Sequence, residues 1–193
     1  MSPLNTGAYR LAAGLLLILA LALALPAHAQ QQTMDGDAIW QTLEDSNWVQ
    51  DGADDADRII YTFTDPNCPY CDQFREQAAP WIEAGRVQLR HIMVGIIKRS
   101  STPKAATILG SEDPEAKLAE NRKAYESGGI EPDEALVKEA EGQVRENNFL
   151  MRDLGARATP TTIYWDGNGE LAAKQGAPRP REMPAIMGSQ KPE

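Results

Sequence analysis

The chain has two cysteines, Cys68 and Cys71, separated only by Pro69 and Tyr70. The residues around this pair restrict the fold more than any other stretch. Arg58 to Thr64 (RIIYTFT) is a short β-branched and aromatic run of the kind that forms a buried strand. Asp65-Pro66-Asn67 are turn formers, and beyond the pair Phe74, Ala78, Trp81 and Ile82 recur at helical spacing. The segment therefore reads as strand, turn and helix. Cys68 falls at the N-cap and Pro69 at the first helical position, where a missing N–H costs nothing.

That placement separates the possible uses of the pair. A bridge between residues so close together constrains the unfolded chain little, so a structural disulfide has weak support. A closed zinc site needs four ligands, and the chain has no third cysteine and only His28 and His91. Haem attachment needs histidine directly after the second cysteine, where Asp72 stands. No metal and no cofactor is expected. A reactive pair fits, because the unpaired N–H groups and positive end of a helix stabilise a thiolate at Cys68. Cys71, one turn later on the same face, is within disulfide reach. Cys68 is expected to be the exposed nucleophile and Cys71 the deeper, resolving thiol.

The remaining sequence supplies the frame. Residues 1–29 carry Arg10, an apolar run from Leu11 to Leu25, and Ala27-His28-Ala29. They read as a cleavable export signal, with the run too short for the roughly 20 apolar residues of a membrane span. Residues 30–57 read as a linker with one helix around Ile39 to Trp48, and the acidic run Asp51 to Asp57 as a solvated loop. Residues 58–193 read as one domain. Its net charge, −9 over the whole chain, repels phosphate backbones, so nucleic acid is not an expected partner.

Val87 to Val94 reads as a second strand that includes His91. A helical insertion follows over about residues 102–154, with a stripe of Val137, Ala140, Val144, Met151 and Leu154. Gly128-Gly129 and Gly142 are expected to divide it. Ala158 to Trp165 (ATPTTIYW) reads as a strand that begins at Pro160, followed by a turn at Asp166-Gly167-Asn168-Gly169 and a returning strand from Glu170 to Gln175. A cis bond before Pro160 would hold a bare backbone edge beside the cysteines, where a substrate strand can pair.

Strand, cysteine-bearing helix, strand, helical insertion, Thr-Pro, hairpin and terminal helix is the order of an α/β thioredoxin-like fold. The chain resembles the periplasmic thiol:disulfide interchange proteins of the DsbG and DsbC type, DsbG most closely. The resemblance is carried by Ile39-Trp40, CPYCDQF, REQAAPWIEAGRVQLR, VGIIK, DLGARATPTTIYW and Ile186-Met187-Gly188. It implies a redox disulfide between Cys68 and Cys71, with Pro69 and Tyr70 inside the motif and Thr159-Pro160 as the cis-proline element that meets substrate. It also implies a periplasmic location, and substrates with disulfides or oxidised cysteines such as sulfenic acids. The reductant implied is a membrane electron donor of the DsbD type.

Two departures qualify the resemblance. The family's N-terminal dimerisation domain has no room in Gln30 to Asp57, so a monomer is expected. The thioredoxin pattern places a buried acid six residues before the first cysteine, and Thr62 stands there. A second reading is a non-catalytic thioredoxin-fold binding module for a dedicated export or surface-assembly partner. The intact CPYC and Thr-Pro favour the enzyme.

Overall fold

The computed structural model describes residues 35–193, so the export signal read at residues 1–29 lies outside the described residues. Five strands form one sheet: β1 (Trp48–Asp51), β2 (Arg58–Thr64), β3 (Val87–Met93), β4 (Thr161–Trp165) and β5 (Leu171–Gln175), in the order β1-β3-β2-β4-β5. Helix α1 (Gly36–Glu44) precedes β1, and α2 (Pro69–Glu83) crosses from β2 to β3. That crossover lets β2 and β3 pair in parallel, with Ile60 beside Leu89 and Thr62 beside His91. The other pairings are antiparallel. Helices α3 (Ser101–Leu109), α4 (Pro114–Lys123) and α5 (Glu134–Asp153) lie between β3 and β4, and α6 (Met183–Met187) follows the hairpin. The α/β thioredoxin-like reading with a helical insertion holds.

Side chains alternate across a strand, so Ile60, Thr62 and Thr64 face one side of the sheet and Tyr61 and Phe63 the other. On the first side Ile60, Val87 and Leu89 pack against Phe74, Ala78, Trp81 and Ile82 of α2 and Met183, Ile186 and Met187 of α6. Burying each of the larger side chains contributes about 1.5–3 kcal/mol. On the other side Tyr61, Phe63, Ile92 and Ile163 meet Leu43 of α1 and Met151 of α5. The insertion has its own core, in which Ala105, Ile108, Leu118 and Val144 close over Val49 and Met93.

Three expectations require correction. The helix read around Ile39 to Trp48 ends at Glu44, and Trp48–Asp51 instead forms the edge strand beside β3. Residues 30–57 are thus more than a linker, because sheet pairing overrides the weak helical pattern of so short a segment. Asp54, Asp55 and Asp57 are solvated as expected, but Asp51 is buried. Gly142 does not divide the insertion; it sits inside α5 with only an Arg145 nitrogen, 3.7 Å from where its Cβ would be. A glycine there costs about 1 kcal/mol relative to alanine, too little to end a helix of this length. The breaks fall where Asp113 and Asp133 cap α4 and α5 through Ala116 N, and through Ala135 N and Leu136 N. The first Gly pair does lie in a break, with φ of 99° at Gly128 and 78° at Gly129.

Candidate active site

Cys68 is the N-cap of α2, with Pro69 at its first position. The Cys68 sulfur accepts a hydrogen bond from Cys71 N at 3.1 Å, and its thiol lies 3.3 Å from the Thr159 carbonyl it donates to. The structure thus gathers Cys68, Cys71 and Thr159 at one point, with the Thr159–Pro160 peptide cis and Pro160 buried. Both cysteines are free thiols. Pro69 and Tyr70 face solvent, Tyr70 at 61 % exposure.

The expected contrast in exposure is absent. Cys68 is 3 % exposed and Cys71 5 %, because the loop carrying Thr159 covers the start of α2. The two thiols differ in electrostatics instead. The Cys71 thiol donating to Cys68 lowers the Cys68 pKa most, against the cost of burial. Thr159 and the backbone N–H groups of Cys71 and Tyr70 lower it further, to about 7. Cys71 goes the other way: burial pushes it well above the ordinary thiol value, and the Cys68 sulfur adds to the rise. One thiol is poised as a nucleophile and the other keeps its proton until needed.

Side chains that the sequence did not flag hold this geometry. Asp65, read only as a turn former, accepts from Asn67 N at 2.9 Å, Ile96 N at 2.8 Å, Ile97 N at 3.0 Å and Ser101 Oγ at 2.8 Å. Asn67 donates to Ser101 Oγ at 3.0 Å, and Asn121 to the Pro66 carbonyl at 2.9 Å. The turn before Cys68 is therefore clamped by α3 and α4. Those partners are 30 or more residues away in sequence, so no local pattern could reveal them.

Behind the cysteines lies a cluster of charge. Asp51 pairs with Arg75 at 2.5 Å and with Arg122 at 3.2 Å, and Arg122 reaches Asp72 at 3.5 Å. Burial opposes ionisation of Asp51, but hydrogen bonds and charge from His91 and Arg75 outweigh it and hold the carboxyl well below the usual range. Among the described residues, no three His, Cys, Asp or Glu side chains are placed to hold a metal ion.

A helix-capping thiolate with a protonated partner one turn away is able to form, exchange and re-form a disulfide. The chain belongs to the thioredoxin-like family, whose domain profile matches residues 52–191. Within that family its sequence is DsbG-like. It is 44% identical over 150 residues to the thiol:disulfide interchange protein DsbG of Pseudomonas aeruginosa, covering 78% of this chain and 59% of that protein. It is 40% identical over 158 residues to DsbG of Escherichia coli, covering 80% and 62%. The chain thus spans about three fifths of the length of these curated relatives. A periplasmic thioredoxin-like protein from Salmonella enterica serovar Typhimurium superposes with a TM-score of 0.62 at 23% identity, over 80% of this chain and 97% of that one. That likeness is one of fold.

Proposed function

We propose that the chain is a thiol-disulfide oxidoreductase that reduces or rearranges disulfides in periplasmic proteins. The observation that carries this reading is geometric: two free thiols one turn apart at the start of α2, with Cys71 N donating to the capping Cys68 sulfur and the cis Thr159–Pro160 step against it. The opposite displacement of the two thiols, Cys68 down and Cys71 up, agrees with it. The names of the DsbG relatives support it. In this mechanism the Cys68 thiolate attacks one sulfur of a substrate disulfide, that S–S bond breaks, and one substrate thiolate leaves. Cys71, as a thiolate, then attacks Cys68 Sγ, the mixed disulfide breaks, and the second substrate thiolate leaves. Two electrons pass from the dithiol to the substrate, and a membrane donor of the DsbD type returns them.

Thr159-Pro160 serves as the backbone edge along which a substrate strand lies. Three of the four large apolar side chains exposed among the described residues are Tyr70, Ile96 and Ile97, and they flank the cysteine turn. Apolar side chains around a reactive sulfur suit a protein substrate with exposed core residues. The test is insulin reduction with dithiothreitol as electron source. The protein is expected to accelerate precipitation and Cys68→Ser to show only the uncatalysed rate. Equal inactivity of both would leave the binding module as the better reading.

A further inference from the structure

Beside the turn that carries Cys68, between the start of α3 and the break after α4, lies an open cleft of about 480 Å³. It is lined by Asn67, Lys98, Ser100, Lys104, Tyr125 and Glu126 among others. Asn67 directly precedes Cys68, and Tyr125 also lines the small cavity against the two cysteines. A group held in this cleft is therefore held next to the reacting sulfur.

Lys104 sits in the first turn of α3 and is 6 % exposed. Its ammonium carries three N–H donors. One goes to the Gly128 carbonyl and one to Asn67 Oδ1 at 3.4 Å, and both acceptors are neutral. Among the described residues no carboxylate forms an ion pair with Lys104. Asp65, in the turn before Cys68, spends its oxygens on Asn67 N, Ile96 N, Ile97 N and Ser101 Oγ. A buried positive charge without a counter-ion is costly, and Lys104 lines a cleft from which one can arrive.

Two neighbours add to the same field. Ser100 Oγ accepts from Asn67 Nδ2 at 3.2 Å, so its own O–H is free to donate. Lys98 is exposed at the cleft and has no ion-pair partner among the described residues. Against them stands one carboxylate in the lining, the exposed Glu126.

We propose that this cleft is a substrate subsite for a carboxylate, carried by an acidic side chain close to the disulfide that Cys68 attacks. The proposal rests on the thiol-exchange reading above and names a substrate class for it. Consecutive Cα atoms are about 3.8 Å apart, so an acidic residue within about three positions of the substrate cysteine spans the step from Cys68 to the cleft. Lys98 and Lys104 neutralise its charge, Lys104 and Ser100 donate to its oxygens, and it supplies the counter-ion that Lys104 lacks. The net charge of −9 works against acidic partners at long range, so the preference is local to this cleft.

The test uses blocked peptide disulfides, each a symmetrical dimer with Glu, Gln or Lys two positions to either side of its cysteine. Reduction by the dithiol form of the protein is followed by acid quenching and chromatography, and each rate is divided by that of the same peptide with dithiothreitol. The Glu peptide is expected to react at least about fivefold faster than the Gln peptide, and the Lys peptide slowest. Lys104→Met should bring the Glu to Gln ratio within about twofold of unity, Lys98→Gln should lower it, and Glu126→Gln should raise it. Arg99→Gln removes an exposed positive charge from the same loop but outside the lining, and should keep the ratio within about twofold of wild type. Equal wild-type rates for Glu and Gln, a Lys peptide that reacts fastest, or a ratio lowered as much by Arg99→Gln as by Lys104→Met would each overturn the proposal. If Lys104→Met fails to fold, the opposite shifts at Lys98 and Glu126 decide, and a ratio that neither moves would overturn it. Reduction of none of the peptides would sink the exchange reading, and this inference with it.

Discussion

The two edges of the sheet serve the cysteine pair in opposite ways. At the β4–β5 edge the contact is backbone: the Thr159 carbonyl meets Cys68 at 3.3 Å, and the surface beyond is open enough to leave Tyr70 exposed. At the β1 edge the contact is charge, with Asp51 turned inward onto Arg75, Arg122 and His91. The carbonyl meets the Cys68 thiol at a single point, whereas the buried ion cluster fills the space it occupies. Under the proposed thiol exchange a second chain approaches from the β4–β5 side, and the β1 side is occupied by the ion cluster.

The largest expected effect would break the comparison if it failed. In Cys68→Ser, the remaining Cys71 should react with iodoacetamide at pH 7 about a hundredfold more slowly than Cys68 does in Cys71→Ser. Rates within a few-fold of each other would mean that position on α2 does not separate the two thiols.

The next effect belongs to the β1 edge. Asp51→Ala should lower unfolding free energy by about 3 kcal/mol in urea titration, since two guanidinium groups lose a buried partner. Because the folded carboxyl is depressed, its contribution is complete above the unfolded value of about 4 and is lost as pH falls below it. The gap between wild type and variant should therefore close in acid. A loss under about 1 kcal/mol at neutral pH would place the cluster among surface ion pairs.

The thiolate side is sharpened by titration. Alkylation of Cys68 should be half-maximal at about pH 7 and fall roughly tenfold per unit below it. A midpoint near that of an ordinary free thiol would show that the cap and Thr159 leave the sulfur unaffected.

The smallest effect is a control far from both edges. Gly142→Ala, on an open face of α5, should raise stability by about 0.5–1 kcal/mol and leave alkylation of Cys68 unchanged. Destabilisation would show that this helix face is covered.

What could be read from the chain followed the range of the forces involved. The order of β2, α2, β3, β4 and β5 was legible because β-branched runs, a helical stripe and turn formers act within a few residues. The place of Cys68 at the N-cap was legible for the same reason. The edge strand β1 was missed because Trp-Val-Gln-Asp has too few residues to show a period, and only pairing with β3 makes it a strand. Cys68 was expected to be exposed because the covering carbonyl comes from 91 positions further along.

By itself, the sequence determined the chemistry available to this protein: two thiols one turn apart at a helix start, a thioredoxin-like order of elements, and a Thr-Pro step before a hairpin. Local backbone preference and side-chain periodicity suffice for that. Only the tertiary structure decided how the two sulfurs differ and which groups stand behind them. Asp51, Arg75, His91 and Arg122 come from four separate elements. Burial, which sets the strength of every charge among them, exists only once the sheet and its helices have closed.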